Sequence, residues 1–80
     1  MTRILIIEDE EKLASLLADY CRHAGFTASI CLRGAEGLAH LQEQGADAVL
    51  LDLMLPDGDG LEICKAIRRS SNVPILITSA

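Results

Sequence analysis

Four short apolar runs, each separated from the next by a helix-length stretch, constrain this chain more than any other feature. They are Arg3–Ile7 (RILII), residues 26–32, residues 47–51 (DAVLL) and residues 73–80 (VPILITSA). The first and third run without a polar break through Ile4–Ile7 and through 48–51, the pattern of a strand covered on both faces in a parallel sheet. The second is more mixed. Pro74 stands near the start of the fourth, where a strand tolerates it. Between the runs the period changes. Leu13, Leu16, Leu17, Tyr20, Cys21 and Ala24 form one helical stripe, with Lys12, Ser15, Asp19 and Arg22 opposite; His23 and Gly25 suit its end. Ala35, Leu38, Ala39 and Leu41 mark a second helix that ends near Gly45. Leu61, Cys64 and Ile67 mark a third, opened by Asp59 as N-cap with Glu62 three residues on, and closed by a solvated Arg68-Arg69 end. The order β-α-β-α-β-α-β with short connections predicts a three-layer α/β unit: a parallel sheet with right-handed crossovers and helices on both faces.

Composition narrows the class. Eighty residues allow one small domain, and a hydrophobic share of 50% with 24% charged residues is globular rather than disordered. One Phe, one Tyr and no Trp leave an aliphatic core and no aromatic platform for stacking bases. A formal charge of −5 argues against direct binding to nucleic acid or to an anionic membrane. No apolar run approaches the ~18 residues of a membrane span, and the N-terminal one is too short for a signal peptide. Cys21, Cys31 and Cys64 are an odd set without CxxC spacing, which reads as buried thiols in a reducing cytosol rather than disulfides or a zinc site. His23 and His40 lack paired spacing and are expected to face solvent.

The chemistry-bearing residues gather at strand ends. Ligands of open α/β sheets bind at the carboxyl edge. Glu8 and Asp9 follow the first strand, Asp52 ends the third, and Ser79 ends the fourth. If the first and third strands are neighbours, three carboxylates meet in one crevice. Their mutual repulsion is relieved by a divalent cation, and hard oxygen ligands suit Mg²⁺. A carboxylate beside such an ion can attack phosphorus to give an aspartyl phosphate, with a hydroxyl such as Ser79 bonding a phosphoryl oxygen. The plainer alternatives are that Asp52 merely ends a strand and that Glu8 and Asp9 serve a helix N-terminus. Residues 57–60 (DGDG) hint at a calcium loop but lack its third acid and its twelfth-position Glu, so a turn with a helix cap is preferred.

Three segments, "RILIIEDE", "DAVLLDLMLPDGDG" and "VPILITSA", resemble in order and spacing the successive signatures of the response-regulator receiver domain. The resemblance spans the whole chain. It implies a flavodoxin-like fold with the four strands in the order 2-1-3-4, and a phosphoacceptor that takes a phosphoryl group from a sensor histidine kinase without being a turnover enzyme. On this resemblance Asp52 is the phosphoacceptor, Asp9 binds Mg²⁺ directly and Glu8 binds it through water. The Met54 backbone carbonyl completes the metal shell, and Ser79 is the switch hydroxyl. Thr78, one position earlier, is expected to point elsewhere because strand side chains alternate. The "DLMLPDGDG" stretch is closest to receivers that precede winged-helix DNA-binding domains of transcription factors. A transcriptional output domain, cytoplasmic location and no membrane contact are therefore expected, with DNA bound by that domain and not by these residues.

Receivers of this kind continue past Ala80 with further helices and a fifth strand bearing a Lys-Pro pair, and Lys12 and Lys65 match nothing in the family's site. Residues 1–80 are thus expected to form a single, incomplete receiver domain lacking the fifth strand and the last two helices. The fourth strand would then be an exposed edge able to self-associate by pairing or by exchange of elements. The alternative function is a phosphorylation-incompetent fragment acting only as a self-associating or interaction module. A free-standing phosphatase is weaker, because the second acid it needs falls at Met54.

Overall fold

The computed structural model describes residues 1–56 and 58–78. In it β1 (Arg3–Ile7) lies inside a four-stranded parallel sheet, between β2 (Thr27–Cys31) and β3 (Ala48–Leu51), and β6 (Ile75–Ile77) adds to the far side of β3. The order β2-β1-β3-β6 is the expected 2-1-3-4 arrangement of the four main strands. A short antiparallel ribbon, β4 (Met54–Leu55) with β5 (Gly58–Asp59), stands where the sequence suggested only a turn. Three helices complete the unit: α1 (Glu11–His23), α2 (Gly34–Gln44) and α3 (Gly60–Arg68).

The alternation of β1 and β3 divides the core into two layers. Leu5, Ile7, Val49 and Leu51 point to one face, where they pack with Leu55 and Ile67 and with the half-buried Leu38, Leu41 and Ile63 of α2 and α3. Ile4 and Ile6 point to the other, against Ala14 and Ala18 of α1, with Leu17, Ala48 and Leu50 at its margin. The sheet is therefore a middle layer, and both faces of its central strands are covered. The two uninterrupted apolar runs predict this arrangement.

Several local expectations are corrected. The buried face of α1 centres on Ala14 and Ala18, not on the full Leu13–Leu16–Tyr20 stripe; Leu16 is 51% and Tyr20 68% exposed. The two alanines bring the helix close to Ile4 and Ile6, and that rotation carries the larger side chains outward. In α2 the buried positions are Gly34 and Gly37 while Ala35 and Ala39 are exposed, and in α3 Ile63 rather than Leu61 joins the core. Arg68 and Arg69 are both exposed, as expected of a solvated helix end, while the Arg68 guanidinium also donates to the carbonyls of Val73 (2.5 Å) and Ser71 (3.4 Å), which ties α3 to the approach of β6. Of the three free cysteines only Cys31 is buried, and His40 is half-buried. Gly25 ends α1 with φ +91°, a conformation that favours glycine.

Candidate functional site

Strand register brings the acids together. Ile7 pairs with Leu51 at the last position of the β1–β3 ladder. Hydrogen bonding then continues one residue further. The Asp52 N–H donates to the Ile7 carbonyl at 2.9 Å, and the Glu8 N–H donates to the Cys31 carbonyl at 3.1 Å. Glu8 and Asp52 consequently leave adjacent strands side by side, and Asp9 follows in the turn that enters α1. Glu8, Asp9 and Asp52 each offer a carboxylate oxygen, and these atoms all lie within 4.8 Å of one another.

The environment of the acids differs from that of ordinary surface carboxylates. Glu8 is 4% exposed and Asp52 6%, whereas Asp9 is open to solvent. Each buried acid is steered by a backbone N–H two residues on. Glu10 donates to Glu8 Oε2 at 3.1 Å, and Met54 donates to Asp52 Oδ1 at 3.0 Å. Burial pushes the Glu8 carboxyl up to about 7, partly offset by the Glu10 N–H and reinforced by its neighbours Asp52 and Asp9. An oxygen-only set of three carboxylates, two of them desolvated and mutually repelling, suits a hard divalent cation, which relieves that repulsion.

The segment after Asp52 is held against the site by a contact that no sequence pattern announces. The Gly60 N–H donates to the Leu53 carbonyl at 3.0 Å, and a Cβ at Gly60 would lie 2.5 Å from the Asp52 carbonyl oxygen and closer still to the Leu53 Cα. Glycine is required there for close approach of two backbones. The Asp59 cap beside it is as expected, its side chain accepting from the Leu61 N–H at 2.9 Å, but Glu62 pairs with Lys65 at 3.4 Å and no bond closing a capping box is seen among the described residues. Met54 carries an exposed side chain, and its backbone faces Asp52 through the N–H. Ser79 lies outside the described residues.

A parallel α/β sheet with helices on both faces and buried acids at the tips of its two inner strands defines a flavodoxin-like module with an acidic site at its carboxyl edge. More particularly, the chain belongs to the response regulator receiver domain family, which matches residues 4–80. It is thus a module of two-component signalling. The chain is 48% identical over 80 residues to the sensory transduction protein RegX3 of Mycobacterium tuberculosis, covering 100% of this chain and 35% of that protein. It is 46% identical over 78 residues to the transcriptional regulatory protein BaeR of Escherichia coli, covering 98% and 32%. Among solved structures it resembles the Thermotoga maritima response regulator TrrA in complex with Mg²⁺ and beryllofluoride, with a TM-score of 0.94 and 30% identity over 100% of this chain and 70% of that one. The beryllofluoride-activated receiver domain of Klebsiella pneumoniae RstA gives a TM-score of 0.93 and 28% identity over 98% and 67%. The chain spans about a third of the length of the curated relatives it matches.

Proposed function

We propose that this chain is the phosphoacceptor unit of a two-component system, taking a phosphoryl group from a sensor histidine kinase onto Asp52. The observation that carries this reading is the convergence of Glu8, Asp9 and Asp52, two of them buried, at the carboxyl edge of adjacent strands. In the transfer, an Asp52 carboxylate oxygen forms a bond to phosphorus as the bond from phosphorus to the kinase imidazole nitrogen breaks. The electron pair leaves with the imidazole. The Met54 N–H fixes one oxygen of Asp52 and so orients the carboxylate for in-line attack. Glu8, Asp9 and Asp52 would hold Mg²⁺, with the Met54 carbonyl as a further ligand and Glu8 acting through water. When bound, the ion supplies neutralisation of charge on the phosphoryl oxygens. The beryllofluoride complex of the Thermotoga relative supports this assignment, since beryllofluoride on a carboxylate is a tetrahedral stand-in for a phosphoryl group.

On this reading residues 1–80 form one receiver unit that changes its own phosphorylation state and is not a turnover enzyme. Ser79 supplies the switch hydroxyl. The output is transcriptional and binds DNA through another domain of the whole protein, as the names of relatives such as BaeR suggest. Its place is the cytoplasm, a reading that three free cysteines and no helix able to cross a membrane among the described residues support. The test is mass spectrometry after incubation with acetyl phosphate and Mg²⁺. Wild type should gain the mass of one phosphoryl group, and Asp52→Asn should gain none. Equal labelling of the two, or none of either, rejects the assignment.

A further inference from the structure

Between the tip of β3 and the start of α3, one side chain among the described residues is buried. Leu53 is half-buried, Met54, Pro56 and Asp59 are exposed, and Leu55 is 7% exposed. Leu55 leaves the β4–β5 ribbon and enters the core cluster that holds Leu51 and Ile67. Its seat is made by a missing side chain. Gly34 is the first residue of α2, and a Cβ there would lie 2.6 Å from Ile63 Cδ1 and 3.3 Å from Leu55 Cδ1. The φ of Gly34 is not positive, so this glycine serves space and not conformation. The start of α2, Ile63 of α3 and Leu55 of the ribbon therefore close on one point.

The anchored residue adjoins the group that steers Asp52. The Met54 N–H donates to Asp52 Oδ1 at 3.0 Å, yet the Met54 side chain is 76% exposed and gives that amide little hold. A ribbon of two residue pairs, Met54 with Asp59 and Leu55 with Gly58, has little stability of its own. Two fastenings fix it. The Gly60 N–H holds the Leu53 carbonyl at 3.0 Å, and the core holds the Leu55 side chain. The Met54 amide lies between them. Because the Met54–Leu55 peptide is planar, the second fastening also sets the direction of the Met54 carbonyl.

We propose that Leu55 is a positioning residue of the site: seated against Gly34 and Ile63, it holds the Met54 backbone so that the Met54 N–H keeps one oxygen of Asp52 in place. The inference rests on the reading of Asp52 as phosphoacceptor and deepens it. Leu55 itself faces the core and acts through Met54. Loosening its seat lets the carboxylate turn, and fewer encounters with a phosphodonor are then in line. The seat also ties to the site a helix, α2, that contributes no residue to the acidic cluster.

The test compares wild type with Leu55→Ala, Leu55→Met and Gly34→Ala at a temperature where thermal melts show each to be folded. One readout is labelling by acetyl phosphate at saturating Mg²⁺, split into maximal rate and KM. The other is amide hydrogen exchange at Met54, read against Glu10, whose N–H bonds Glu8 in the same way. Leu55→Ala should melt lower, as core truncations do. It should also lose about tenfold in maximal rate with KM unchanged, and exchange the Met54 amide about tenfold faster relative to Glu10. Gly34→Ala disturbs the seat without altering residues 52–60 and should show both changes in smaller measure. Leu55→Met keeps the volume and should hold both readouts near wild type. Leu55→Val takes the place of Leu55→Ala if that variant does not fold. A lower melt with wild-type labelling and an unchanged Met54-to-Glu10 ratio overturns the inference and leaves Leu55 a core residue only. Either change without the other overturns it too, since the loss then does not pass through the Met54 amide. If wild type takes up no phosphoryl group while its Met54 amide is protected, the acceptor reading falls and this one with it.

Discussion

Glu8 shows how a single side chain can link proton binding and stability. Its carboxyl is raised to about 7 in the fold against 4.5 for an ordinary glutamate, chiefly because burial disfavours the charge. A group whose folded value is raised binds its proton more tightly when folded. Its contribution to stability is fully present below about 4.5 and is lost as pH rises through 7. The loss is on the order of 3 kcal/mol. Urea melts without divalent ions should therefore show wild type losing stability between pH 5 and pH 8 relative to Glu8→Gln, by about that amount. If the acids hold Mg²⁺ as proposed, the ion competes with the same proton, and its affinity should climb with pH up to about 7 and level off above. A flat Mg²⁺ affinity across that range would contradict the raised carboxyl.

Between β3 and α3, the placement of Asp52 depends on two backbones meeting. Gly60 begins α3 and sits against Asp52 and Leu53, so Gly60→Ala must push the helix start away from the strand tip. The expected cost is about 1–3 kcal/mol of stability, as for other overpacked sites. A slower reaction of Asp52 with acetyl phosphate should accompany it. Urea melts and the labelling time course check the two parts separately. The sequence betrayed the elements but not this contact. Runs such as RILII and DAVLL declare a doubly covered strand through composition alone, and an Asp at an N-cap declares a helix start. The need for glycine at position 60 arises from the Leu53 backbone, seven residues away, and leaves no periodic mark. The rotation of α1 was hidden for a related reason. Two helical stripes fit its spacing, and the choice of Ala14 and Ala18 follows from how closely Ile4 and Ile6 let the helix approach. The acids were legible because strand ends and ligand edges coincide in parallel sheets, while the seat of Leu55 required the observed packing.

Across the described residues as a whole, the sheet is unevenly protected. β1 and β3 are covered on both faces, but β6 pairs only with β3 among the described residues, and its Leu76 and Ile77 are 55% and 46% exposed. An apolar outer strand invites pairing with another copy. The 80-residue chain is therefore expected to self-associate as its concentration rises, and Leu76→Lys should suppress this with little effect on the fold. Light scattering across a dilution series reads the effect directly; a constant monomer mass at high concentration would contradict it.

The backbone donors of Glu8, Asp52 and Thr78 reach back to Cys31, Ile7 and Leu51 in turn, so one transverse rung stitches all four main strands just beneath the acids. The base of the acidic cluster is thereby also the last cross-tie of the sheet among the described residues. A load placed on that rung is shared by all four main strands at once, the two outer ones included.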